Sequence, residues 1–160
     1  MTDGATAIPE VQALLRALAT GRRVAEMGTA YGETAAALAE TARSVVTVEG
    51  DPGRLAVARK RLAGLANVEL LEGDVYEQLR GRGPFDLVFV DGGLRPVDAD
   101  RREAILALVE PGGILVKDDM TPGRPVEGDE VREFLLRDPR LAAAEILATP
   151  EMVVIVAVRR

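Results

Sequence analysis

Acidic residues and glycines recur in this 160-residue sequence where short apolar runs end. Glu26-Met27-Gly28-Thr29-Ala30-Tyr31-Gly32-Glu33-Thr34 closes the first run, and Glu49 closes the second. Gly73-Asp74 follows the third, Asp91-Gly92-Gly93 the fourth, and Asp118-Asp119 ends the fifth. Carboxylates can accept hydrogen bonds from sugar hydroxyls, hold a cation or take up a proton. Glycines let backbone approach a ligand. The sequence has no Cys and no His. That excludes thiol nucleophiles, Ser-His and Cys-His catalysis, structural zinc and redox pairs. A metal here must be a hard cation held by oxygen.

The first turn is not the dinucleotide fingerprint, which needs G-x-G-x-x-G to admit a pyrophosphate at a helix N-terminus. Gly28 and Gly32 have three residues between them. They serve either close ligand approach or only a tight turn. Glu49 stands about 20 residues beyond Gly28, the separation at which an acid accepts ribose hydroxyls. Asp51, followed by Pro52, reads instead as a helix N-cap.

The elements that must position these residues alternate between strand and helix. Val11, Leu14, Leu15 and Leu18 share a helix face after Pro9. Strands are expected over Arg23–Met27, Ser44–Val48, Val68–Leu71, Phe85–Val90 and from Ile114 to Val116. Helices are expected over Glu33–Ala42, Asp51 to about Ala63, and Val97–Val109, the last ended by Pro111-Gly112-Gly113. Asp129–Leu136 is also helical. Ala142–Leu147 and Met152–Val158 are joined by a link so short that they must pair antiparallel. The expected fold is α/β, a mostly parallel seven-stranded sheet with helices on both faces and a C-terminal antiparallel hairpin. One domain over residues 1–160 is expected. The final strand, Met152–Val158, reads as interior to the sheet, with a homodimer edge as the alternative.

Hydrophobic residues are 48% of the chain and charged residues 29%, which argues against disorder. The formal charge of −6 argues against a nucleic-acid partner. No run approaches the roughly 18 apolar residues of a membrane span. Residues 1–10 lack a basic segment followed by an apolar one, so no signal peptide and a cytoplasmic location are expected.

Together these motifs resemble the class I S-adenosylmethionine-dependent methyltransferases, and within them the small O-methyltransferases of the catechol and caffeoyl-CoA type. The resemblance runs from about Ile8 to Arg160. It is carried by the Glu26–Thr34 turn, Val48-Glu49-Gly50-Asp51-Pro52, Gly73-Asp74, Phe85–Asp91, and Pro111 through Asp119. It implies a Rossmann-like methyltransferase fold, S-adenosylmethionine as cofactor and a small-molecule methyl acceptor. It also implies roles. Glu49 holds the ribose. Asp74 and the backbone of Val75 face the adenine. Gly28, Thr29 and Gly32 pass beneath the methionine moiety. Thr34 donates to its carboxylate, and Glu26 supports the loop from below. Asp91 is the catalytic position, where sulfonium and acceptor meet.

The same resemblance implies a divalent cation, Mg²⁺ or a similar ion, on Asp91, Asp118 and Asp119. Such an ion would lower the pKa of an acceptor hydroxyl. The sequence departs from that pattern in two places. Asp119 replaces an Asn, and Leu94 stands where a lysine general base is expected. Lys117 could neutralise the acidic pair instead. Asp118 and Asp119 also have a purely structural reading, as a strand end and a turn cap. Only Met1 to Val11 precede the first helix, so an open acceptor site is expected, with Met120–Asp129 as its one lid segment.

Two further readings remain. An RNA methyltransferase would use Arg80, Arg82, Arg95, Arg101 and Arg102 as a local patch, although these also read as ordinary solvated charges. A non-catalytic cofactor-binding or scaffold protein would explain the missing lysine. The glycine spacing disfavours a nucleotide-dependent dehydrogenase.

Overall fold

The computed structural model describes residues 6–160. Helix α1 (Pro9–Ala19) begins on a proline, whose missing N–H costs nothing in a first turn, and buries Val11, Leu15 and Ala19 on one stripe. Strand β1 (Arg23–Met27), helix α2 (Glu33–Ala39) and strand β2 (Ser44–Glu49) follow. Helix α3 (Pro52–Leu62) starts where Asp51 accepts the Arg54 backbone N–H at 2.8 Å, the cap expected of it. Then come β3 (Val68–Glu72), α4 (Val75–Leu79), β4 (Phe85–Val90) and α5 (Ala99–Leu108). The chain ends with β5 (Val109–Met120), α6 (Glu130–Arg137), β6 (Leu141–Thr149) and β7 (Met152–Arg159).

The strands form one sheet in the order β3-β2-β1-β4-β5-β7-β6. The first five are parallel, while β7 pairs antiparallel with both β5 and β6. This is the Rossmann-like sheet with a C-terminal hairpin that the sequence predicts. Alternate residues feed the two faces. Val88 and Val90 pack with Ile105, Phe134 and Leu135 on the α5–α6 side. Leu87 and Phe89 pack with Val11, Leu15 and Leu38 on the α1–α2 side. Strand order reverses between β1 and β4, so their carboxyl ends flank the crevice where an open α/β sheet binds ligands.

Two expectations need correction. Helix α4 was not anticipated; five residues carry too little 3.6-residue periodicity to read, and its signal is the Asp74 cap. Pro111-Gly112-Gly113 does not separate α5 from a short strand. It lies inside the long β5, where the β4–β5 register shifts. Met152–Val158 is interior as expected, with β7 between β5 and β6, and β3 and β6 form the two sheet edges.

Phe89 is fully buried at the centre of the α1-side core. Phe89→Ala is expected to lower unfolding stability by about 3–5 kcal/mol, read as a reduced urea midpoint. Val57→Ala, at a residue 43% exposed, is expected to stay within about 0.5 kcal/mol of the parent.

Candidate active site

The turn after β1 is held from below and from the side. Gly28 N–H and Thr29 N–H both donate to the Val48 carbonyl, at 3.2 and 3.0 Å. Glu49, 7% exposed, accepts the Ala30 N–H on Oε2 at 2.7 Å and the Asp51 N–H on Oε1 at 2.8 Å. Ala30 has φ 48°, a left-handed conformation uncommon away from glycine, and the Glu49 bond fixes it there. Gly28 (φ 99°) could not carry a side chain without strain, and a Cβ there would also stand 3.2 Å from the Gly92 nitrogen.

Beneath the turn lies a buried polar relay that sequence reasoning missed at its middle member. Thr47 Oγ1 donates to Glu26 Oε2 at 2.5 Å and lies 2.5 Å from Thr29 Oγ1. Thr47 looks like an ordinary β-branched strand residue. Only the period-2 alternation of β2, which puts it on the same face as Glu49, could have hinted at its place. Glu26 is fully buried. Burial pushes its carboxyl well above the usual carboxylate range, the Thr47 bond opposing, with Asp91, Asp118 and Glu49 adding repulsion. Its Oε1 has no hydrogen-bond partner among the described residues.

Thr34 is buried in the first turn of α2. Asp74 caps α4, with Oδ1 accepting the Tyr76 and Glu77 N–H groups at 2.9 and 3.1 Å. Gly93 has φ 80°, and a Cβ there would press 3.2 Å from Val75 Cγ2. Tyr76 ties α4 to the same loop by donating its hydroxyl to the Gly93 carbonyl at 2.8 Å. Glu26, Gly28, Thr29, Gly32, Glu49, Asp74 and Asp91 sit on strand ends or in the turns that leave them, while Thr34 and Val75 lie in the first turns of α2 and α4.

Asp91 begins the loop after β4, tied to β1 by its N–H on the Met27 carbonyl at 3.2 Å. Its pKa is pushed up to about 7, by burial first and by Asp118 next, with Lys117 opposing. Asp118 is pushed up to about 6, again by burial first, with Lys117 lowering it and Asp119 raising it. Lys117 Nζ donates to the Asp118 carbonyl at 2.6 Å and to the Asp91 carbonyl at 3.3 Å, and stands 3.7 Å from Asp118 Oδ1.

The expected metal trio is not assembled. Among the described residues, no group of three or more acidic side chains is placed to hold a metal ion. The β5–β7 register breaks between Lys117 and Met120, so regular strand alternation does not run through Asp118 and Asp119. Asp118 is buried, while Asp119, at φ 58°, is exposed and lines a cavity with Asp91. The Lys117 ammonium supplies the nearby positive charge. Leu94, where a lysine was expected, is 3% exposed and packs in the core.

The model of a methyltransferase domain family matches residues 25–120, the stretch that carries the whole turn-and-carboxylate arrangement. The chain belongs to this methyltransferase family. The domain is 37% identical over 125 residues to a protein-L-isoaspartate O-methyltransferase of Rhodopseudomonas palustris, covering 77% of this chain and 52% of that protein. It is 34% identical over 109 residues to a demethylmenaquinone methyltransferase of Clavibacter sepedonicus, covering 66% of this chain and 44% of that protein. The chain thus spans about half the length of the curated relatives it matches. Among solved structures, the O-methyltransferase TomG of Streptomyces achromogenes, in complex with SAM, superposes with a TM-score of 0.74 at 26% identity, over 99% of this chain and 83% of that one. A methyltransferase from Geobacter sulfurreducens, at 21% identity, shares the fold with a TM-score of 0.78 over 97% of this chain and 80% of its own.

The raised Asp91 pKa has a stability consequence for the methyltransferase domain. Its folded value, about 7, lies above the ordinary 3.8, so between these the native state holds more protons than the unfolded state. Its effect on stability is least unfavourable below about pH 4, and stability is lost as pH rises towards 7. Asp91→Asn is expected to flatten this decline and to gain roughly 2–4 kcal/mol at pH 8, measured by urea unfolding across pH 4–8.

Proposed function

We propose that the described residues form one S-adenosylmethionine-dependent methyltransferase domain that methylates an oxygen of a small-molecule acceptor. The observation that supports it best is the pairing of a pinned left-handed turn with a carboxyl-rich wall. Gly28, Ala30 and Gly32 all have positive φ, and they face Glu49 on one side and Asp91 on the other. Such a crevice fits a ligand with ribose hydroxyls at one end and cationic centres at the other. The buried Oε1 of Glu26, which has no hydrogen-bond partner among the described residues, favours a nearby positive charge in the same way.

When bound, S-adenosylmethionine supplies an electrophilic methyl whose sulfur keeps the bonding pair as it leaves. The protein's share is placement and proton handling. In this reading Glu49, whose Oε2 already holds the turn at Ala30 and whose Oε1 accepts the Asp51 N–H, uses its remaining lone pairs for the ribose hydroxyls. Asp74 and Val75 border the adenine. Gly28, Thr29 and Gly32 keep backbone close beneath the methionine chain, and Thr34 meets its carboxylate at the start of α2. Asp91 stands at the reacting end, and a carboxyl near 7 is matched to taking the acceptor's hydroxyl proton at neutral pH. With the carboxylate trio unassembled, no step is assigned to a metal. The identity to protein-L-isoaspartate O-methyltransferases favours one second reading, in which the acceptor oxygen belongs to a peptide carboxylate.

Calorimetric titration with S-adenosylhomocysteine tests the cofactor reading. Binding in the micromolar range is expected, and Glu49→Gln should weaken it at least about tenfold, the loss of one or two charge-assisted hydrogen bonds. Absence of binding to folded protein would refute it. Formation of S-adenosylhomocysteine with hydroxylated small molecules, set against an isoaspartyl peptide, then separates the two acceptor classes.

A further inference from the structure

Three adjoining cavities of about 280, 260 and 230 Å³ run outward from Asp91 along the loop between β5 and α6. Asp91 and Lys117 line the inner one. Asp119 and Met120 are shared by the inner and middle ones. Arg124 lines the middle and outer ones. The trough thus leads from the proposed reacting end to a guanidinium.

The charges along this wall are nearly all committed. Glu127 pairs with Arg137. Asp129 accepts Arg132 at 2.8 Å and Arg95 at 3.3 Å, and Glu130 accepts Arg95 at 2.9 Å. Arg132, 1% exposed, also donates to Glu145 at 2.5 Å and to the Thr121 carbonyl at 2.6 Å. Among the described residues Arg124 makes no hydrogen bond, ion pair or ring contact. The loop presenting it is anchored at both ends, by Arg132 on Thr121 and by the Gly128 N–H on Glu133 Oε1 at 2.9 Å. On the same middle cavity stands Asp119, whose left-handed backbone turns its carboxylate out of the strand and into the trough. One cavity therefore carries an uncommitted guanidinium and a carboxylate that do not pair with each other.

Resting on the methyltransferase reading above, we propose that Arg124 is the specificity anchor of the acceptor site and selects acceptors bearing a carboxylate set apart from the methylated atom. A guanidinium offers two parallel N–H donors that match the two oxygens of a carboxylate. Asp91, Asp119 and Asp129 along the same wall disfavour a more highly charged anion such as phosphate. Asp119 accepts a hydrogen bond from a hydroxyl on the same acceptor.

The test uses chain labelled with ¹⁵N-arginine, with and without S-adenosylhomocysteine, and the Arg124 Nε–H signal assigned through Arg124→Gln. Benzoate, benzyl alcohol and inorganic phosphate are titrated at constant ionic strength. Benzoate is expected to shift the Arg124 signal saturably. Arg124→Gln should weaken benzoate binding at least fivefold and leave the affinity for S-adenosylhomocysteine unchanged. Benzyl alcohol should leave the signal in place. No benzoate shift, or a phosphate shift of equal affinity, would overturn the proposal. Because benzoate is titrated both ways, failure of S-adenosylhomocysteine to bind would count against the cofactor reading alone.

Discussion

The site depends on the turn after β1 being held in conformations that a free chain would leave. Three of its five residues from Gly28 to Gly32 have positive φ. Two of these are glycines, which adopt it freely, but at Ala30 it persists only when the surroundings over-determine it. The Val48 carbonyl, Oε2 of Glu49 and the Glu26–Thr47–Thr29 relay supply that constraint from β1 and β2. The parallel β1–β2 register, which pairs Glu26 with Thr47, puts these groups side by side. The groups that shape the crevice are therefore fixed by the sheet itself rather than by a mobile loop, which suits preorganised binding.

The second constraint is electrostatic. Glu26, Asp91 and Asp118 are brought together in a poorly solvated space, and each resists ionisation. Lys117 is the one local cation the sheet supplies, and it offsets part of that cost. A site with excess buried carboxyl groups is less stable when empty and more receptive to a cationic ligand. The same physics that destabilises the domain at higher pH thus tunes its crevice.

The outer half of the crevice is organised differently. Arg132 is buried and ties α6 to β6 and to the loop after β5 through Asp129, Glu145 and the Thr121 carbonyl. Removing one member of such a buried network leaves a charge uncompensated, which is costly. The network fixes the wall along which the loop after β5 runs. It also occupies Asp129, which lines the same cavities as Arg124. Packing of the antiparallel hairpin therefore bears directly on the chemistry of the outer trough.

The sequence by itself determined the alternation of strands and helices, the closing hairpin and the strand-end positions of Glu49, Asp74 and Asp91. It could do so because period-2 and period-3.6 patterns and turn residues are local signals. Asp51 capped its helix as its neighbour Pro52 announced. Helix α4 was not legible, being too short for a period, and neither was the register shift that carries Pro111-Gly112-Gly113 into β5. The presentation of Asp118 and Asp119 was not legible either, because β5 breaks register there, and only the folded strand shows that Asp118 is buried and Asp119 exposed. Thr47 acquired its place from Glu26 and Thr29, and Arg132 in part from Glu145, all distant in sequence, whereas Lys117 next to Asp118 was already legible. Which charges are paired and which are left over is a property of tertiary contacts, so the uncommitted Arg124 could be seen only in the folded chain.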